Sequence, residues 1–79
     1  KKNISDIESG LSIIENIRPV EFEWKDSGLK SYGVIAQELE KVIPDLVQDG
    51  INKSVNYDGI IAFLIKAVQE LSEKIKTNE

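Results

Sequence analysis

The opening stretch KKNISDIESG holds the residues whose types come closest to a reacting pair: Lys1 and Lys2, followed by Ser5 and Asp6. A serine hydroxyl is a poor nucleophile near neutral pH and needs a base within hydrogen-bond reach. Lysine can be that base when desolvation lowers its pKa toward neutrality. Lys1 is therefore either an ordinary charged residue or half of a catalytic pair. Ser5 has a simpler reading. With Glu8 three residues later it fits a capping box, hydroxyl to backbone N–H in one direction and carboxylate in the other. Elsewhere the chemistry thins out. The 79 residues include 0 His and 0 Cys, which excludes imidazole catalysis, thiolates, disulfides and the usual zinc ligand sets. The acidic residues are too dispersed for a metal site or a glycosidase pair, and no Gly-rich phosphate loop is present. A conventional enzyme acting on an outside substrate is disfavoured.

The elements that would position these groups can be read from spacing. Ile4, Ile7, Leu11, Ile14 and Ile17 recur every three or four residues and predict a first helix, which Arg18-Pro19 ends. Gly10 inside it costs about 1 kcal/mol relative to alanine. Val20 to Lys25 alternates apolar and charged side chains, as a half-buried strand does, and Tyr32 to Ile35 can return as its partner around the polar loop 26–31. Phe22 and Trp24 are expected in the core of that small sheet. From Ala36 the period turns helical, with Ile35, Leu39, Val42 and Ile43 on one face, until Pro44 stops it. Residues 46–48 and 54–57 flank loop 49–53, whose Asp49-Gly50 is a strong turn signal for a second hairpin. Asp58 is the expected N-cap of the last helix. In that helix Ile61, Leu64, Val68, Leu71 and Ile75 step by three and four, an a/d seam. Ile60, Phe63 and Ala67 form a second apolar face over its first half only. Such a helix is either a single amphipathic helix capping the core or one that packs on its own domain at its start and on other chains further along. Glu70 and Lys74 are spaced for an i,i+4 pair.

Length and charge bound the function. A single domain of this size folds only marginally by itself, and without cysteines or metal ligands its small core calls for partner chains. With 10 Lys+Arg against 14 Asp+Glu the net charge is −4, and no basic stripe exists to grip a phosphate backbone. No apolar run approaches the roughly 20 residues that span a bilayer. Neither nucleic acid nor membrane is an expected partner. The fold class is α+β, mainly helical. Residues 1–57 form a globular part with two hairpins, and residues 58–79 form an oligomerisation helix.

Four stretches in this order, an opening Lys-Lys-x-Ile, "IRPVEFEWK", "YGVIAQELEKVIPDLV" and "VNYDGIIAFLIKAVQELSEKI", resemble the C-terminal intramolecular chaperone domain of phage tail spikes, fibres and neck appendages. This is the endosialidase-type chaperone, also a self-cleaving Ser–Lys peptidase family. The most specific residues are Gly33-Val34-Ile35-Ala36-Gln37-Glu38, then Pro44, then Tyr57. The family's motif Ser-Asp-x-Arg-x-Lys-x-x-Ile, set with its Ile on Ile4, puts its Lys on Lys1. The resemblance then implies that Lys1 is the remnant general base, with the nucleophilic Ser and its Asp expected upstream and this chain inactive as given. It further implies a homotrimeric coiled-coil stalk in which Ile61, Leu64, Val68, Leu71 and Ile75 clamp the copies together. The client would be the chain's own upstream fibre polypeptide, touched by loops 26–31 and 49–53 through Lys30 and Lys53. The setting would be the host cytoplasm during virion assembly, and no cofactor is expected. The seam by itself, with β-branched residues at a and Leu at d, favours two strands rather than three. A plain oligomerisation module of a fibrous protein, without chaperone or cleavage activity, is the alternative.

Overall fold

Asn56, not Asp58, fixes where the long helix begins. Its side-chain Oδ1 accepts the backbone N–H of Gly59 at 3.0 Å, the third helical residue, satisfying a donor that has no partner within the helix. Asp58 sits in the first turn instead, where a negative charge complements the helix dipole. The computed structural model describes residues 1–77, and the last two residues of the expected 58–79 helix lie outside that range. The order is α1 (Leu11–Ile14), β1 (Val20–Glu23), β2 (Lys30–Gly33), α2 (Ala36–Val42), a tighter helical turn at Pro44–Leu46, β3 (Val47–Gln48), β4 (Ser54–Val55) and α3 (Tyr57–Thr77). The architecture is α+β, with two small hairpins and a long last helix.

β1 and β2 pair antiparallel, Val20 opposite Gly33 and Glu23 opposite Lys30, while β3 and β4 pair separately, Val47 opposite Val55. The hairpins form two independent two-stranded sheets. Among the described strands, every one is therefore an edge. Pro44 ends α2 by starting the tighter turn, which carries Leu46 inward. Leu39, only 1% exposed, then meets Leu46 and Ile60 in the core. Partly buried Ile14, Ile17, Val34, Ile43, Val47, Val55 and Phe63 pack around those three.

Two expectations fail here for physical reasons. The predicted first helix shrinks to four residues, and Ile4 lies 84% exposed on a segment without regular structure. No capping box forms at Ser5. The cause is Gly10, which serves as a point of close approach rather than a flaw in a longer helix. A Cβ there would lie 2.6 Å from both the Ala67 nitrogen and the Phe63 carbonyl oxygen of α3. Backbone meets backbone at this point, and α1 starts from it. Trp24 is the second failure. It packs edge-on against Phe22, ring centres 5.1 Å apart, but stands at the end of the hairpin with 56% of its surface exposed. A two-stranded sheet is too small to cover both rings.

The molecule is extended. Its radius of gyration is 15.3 Å, against about 12 Å for a compact chain of this length. Its accessible surface is 6686 Å², where a self-contained protein of this mass exposes about 4,800 Å². Part of the excess belongs to one face.

Candidate assembly surface

That face is the outer side of α3. Ile61 is 53% exposed, Leu64 42%, Val68 64%, Leu71 47% and Ile75 58%, and Ile65 lies beside them, also exposed. The adjoining side of the same helix is closed by its own chain: Ile60 and Ala67 are buried and Phe63 is half-buried. The division follows the sequence. Residues one step before the seam positions turn toward α1, α2 and the turn at Leu46, while the seam turns away. Burying the remaining exposed part of five such aliphatic side chains is worth about 1 kcal/mol each. The charges are placed so that copies do not repel. Positions 60, 65, 67 and 72, which flank the stripe from Ile61 to Leu71, are Ile, Ile, Ala and Ser. An identical helix can approach without like charges meeting there, despite the net charge of −4.

Glu70 does not form the simple i,i+4 pair that its spacing from Lys74 suggests. Its Oε1 accepts the backbone N–H groups of Gly10, at 2.5 Å, and Leu11, at 3.4 Å. A side chain from α3 thus satisfies the first donors of α1 across 60 residues of sequence. These amide hydrogen bonds, foremost that of Gly10, hold the Glu70 carboxyl below the usual carboxylate range, with Lys66 and Lys74 adding a smaller pull in the same direction. Sequence spacing missed this contact because it is not local. Its only trace was the glycine.

The hairpin lysines differ from each other. Lys30 opens β2 and lies 3.4 Å from Glu21 across the strands, largely exposed. Lys53 is held by three short contacts, 2.7 Å to Asp49 Oδ1 and 2.9 and 3.0 Å to the two oxygens of Glu40. The Asp49 contact, then the Glu40 contact, raises the Lys53 pKa. Lys53 thereby ties the second hairpin to α2. Arg18 makes a similar tie at the other end of α2, its Nε and Nη2 donating to the Glu38 carboxylate at 2.9 and 2.7 Å. Glu38 is held below the usual range chiefly by that hydrogen bond. Gln37 beside it is exposed and caps nothing, because Ile35 starts α2 without a side-chain cap. At the other end of the chain, Lys1 and Ser5 are both exposed. The single chain does not provide the burial that a lysine base requires. Among the described residues, no helix is long and apolar enough to cross a membrane.

Residues 1–48 match the family described as chaperone of endosialidase. The chain belongs to this family. The match spans the exposed N-terminal segment, α1, the first hairpin, α2 and β3, so it covers the Arg18–Glu38 pair and the glycines, Gly10 and Gly33, against which α3 packs. α3 follows the matched residues, and the reading of its outer face rests on its own geometry. The long tail fiber protein Gp37 of Enterobacteria phage M1 is 42% identical over 52 residues, which cover 60% of this chain and 21% of that protein. The protein of the same name from Enterobacteria phage Ox2 matches to the same extent. This endosialidase-chaperone chain therefore spans about a fifth of the length of those curated relatives.

Proposed function

We propose that this chain is an intramolecular chaperone of a phage tail fibre, acting by holding several copies of its attached fibre polypeptide together. Residues 1–57 form its globular part and residues 58–79 its assembly helix. The observation that carries the reading is the open stripe on α3 of a family member, apolar, in heptad phase and free of charge at its flanks from Ile61 to Leu71. Three copies meet along Ile61, Leu64, Val68, Leu71 and Ile75, a number taken from the family resemblance. A fibre wound from several chains has high contact order and slow registration. Tethering the strands to a shared clamp raises their effective concentration, so they meet in register sooner than by free encounter. The hairpin ends, with Lys30 outermost and Lys53 bracing the second hairpin, face the client. Self-cleavage, with Lys1 as base and a serine outside these residues as nucleophile, then releases the clamp in the host cytoplasm during assembly. Removing the assembly route leaves the finished fibre kinetically stable.

The test is Leu64→Asp in the full-length fibre protein. Sedimentation should show loss of the oligomer, and the yield of soluble folded fibre should fall. An unchanged mass with a normal fibre yield would overturn the reading. Loss of the oligomer with normal fibre yield would favour a plain oligomerisation module.

A further inference from the structure

Tyr57 is seven residues before Leu64 and fourteen before Leu71, which places it at the same heptad position as both. It opens α3 and is 49% exposed. The ring is also fastened at its far end, because its hydroxyl accepts the backbone N–H of Val34 at 3.3 Å. Gly33 makes room for that contact: a Cβ on Gly33 would lie 2.6 Å from the Tyr57 Oη. Beside the ring a mainly apolar groove runs between the first turns of α3 and the β1–β2 sheet, lined by Pro19, Val20, Tyr32, Val34 and Ile60. Glu21 also lines it, its Oε1 3.4 Å from Lys30 Nζ. Tyr32 on its rim is 71% exposed.

We propose that the surface joining copies of this chain does not stop at Ile61 but continues over Tyr57 into this groove, with a neighbouring copy as the occupant. The inference rests on the self-association of α3 put forward above. Three observations select a second copy over any other partner. The heptad phase requires it, since like helices meeting at Leu64 bring Tyr57 to the same axis one turn pair earlier. Surface area points the same way. Five half-exposed aliphatic side chains offer a few hundred Å², short of the roughly 800 Å² that each partner gives to a standard interface, and two tyrosines with an apolar groove supply more. The molecule carries the surplus accessible area to do so, 6686 Å² in all. Continuity is the third, because Ile60 lines the groove from below while Ile61 opens the stripe.

The consequence is mechanical. Tyr57 touches the assembly axis with its ring and the strand end with its hydroxyl, so pressing copies together also holds β2 where it enters α2. By linkage, whatever fixes that strand end strengthens association, and association fixes the strand end.

The experiment compares Leu64→Asp, Tyr57→Ala, Tyr57→Phe and Tyr32→Glu in the full chain, by sedimentation equilibrium and by amide exchange at Val34. Tyr57→Ala and Tyr32→Glu should each weaken association about tenfold or more. Tyr57→Phe should leave association within about twofold while speeding exchange at Val34. Wild-type association in both Tyr57→Ala and Tyr32→Glu, with Leu64→Asp dissociated, would overturn the extension and leave the seam standing. Wild-type association in all, Leu64→Asp included, would sink the seam itself. Should Tyr57→Ala lose its helical circular dichroism, Tyr32→Glu decides alone, because the Tyr32 side chain lies outside the core. Unaltered Val34 exchange in Tyr57→Phe would overturn the coupling.

Discussion

The two sides of α3 share one backbone and both carry apolar residues at three-four spacing, yet one is finished and the other is open. On the inner side, Gly10 lets α1 come close enough for backbone contact, Ile60 and Ala67 are buried, and Glu70 reaches over to accept the first amides of α1. On the outer side, aliphatic residues at the same spacing stay about half exposed. The difference shows that periodicity states only that a face is apolar, not what will cover it. Cover from the same chain needs close approach and polar satisfaction at specific residues, and the inner face has both.

Three changes would break or sharpen that contrast. The largest effect belongs to Gly10→Val, which drives side-chain carbons into the Phe63 carbonyl and Ala67 nitrogen. Overpacking of this kind costs about 3 kcal/mol or more, most of what a small domain has. Thermal unfolding followed by circular dichroism should show the loss at every protein concentration, whereas Leu64→Asp should show its loss only through the concentration dependence. Equal concentration dependence in both would erase the distinction between the faces.

Next comes Glu70→Gln, which keeps an acceptor for Gly10 but removes the charge. The Glu70 carboxyl sits below its ordinary range in the folded chain, so its contribution is fully present above the unfolded value of about 4.3 and fades as pH falls through the lower folded value. The variant should melt a few degrees below wild type at pH 7, and the gap should close below about pH 4. A gap that persists in acid would mean that the charge is not what holds α1 to α3. Smallest is Lys53→Ala, which frees the second hairpin from Glu40 and Asp49. Exposed ion pairs contribute little, so the melting temperature should barely move. Amide exchange in β3 and β4 should quicken, and unaltered exchange would show that the pair does not brace the hairpin.

These contrasts also mark what the sequence could and could not say. α3 was legible because no proline and a single early glycine interrupt its three-four spacing, and because its inner and outer residues separate cleanly by phase. The hairpins were legible from alternation and from Asp49-Gly50. The first helix was not. Ile4 and Ile7 carry the right spacing, but the contact that decides where helix begins lies between Gly10 and residues more than 50 positions away. Gly10 was read as a local cost when it was a tertiary necessity. Asp58 was expected as the cap for a similar reason: its residue type suits the position, and only the bond from Gly59 shows that Asn56 fills it. Trp24 was placed in a core too small to hold it. The Lys53–Asp49 contact is local, four residues apart, whereas the Glu40 contact joins the second hairpin to α2 and left no local trace.

The first hairpin leaves both of its edges unpaired, and unpaired edges readily recruit passing strands. Glu21 and Glu23 put negative charge on β1 and Lys30 puts positive charge on β2, which makes these short strands poor templates for further pairing.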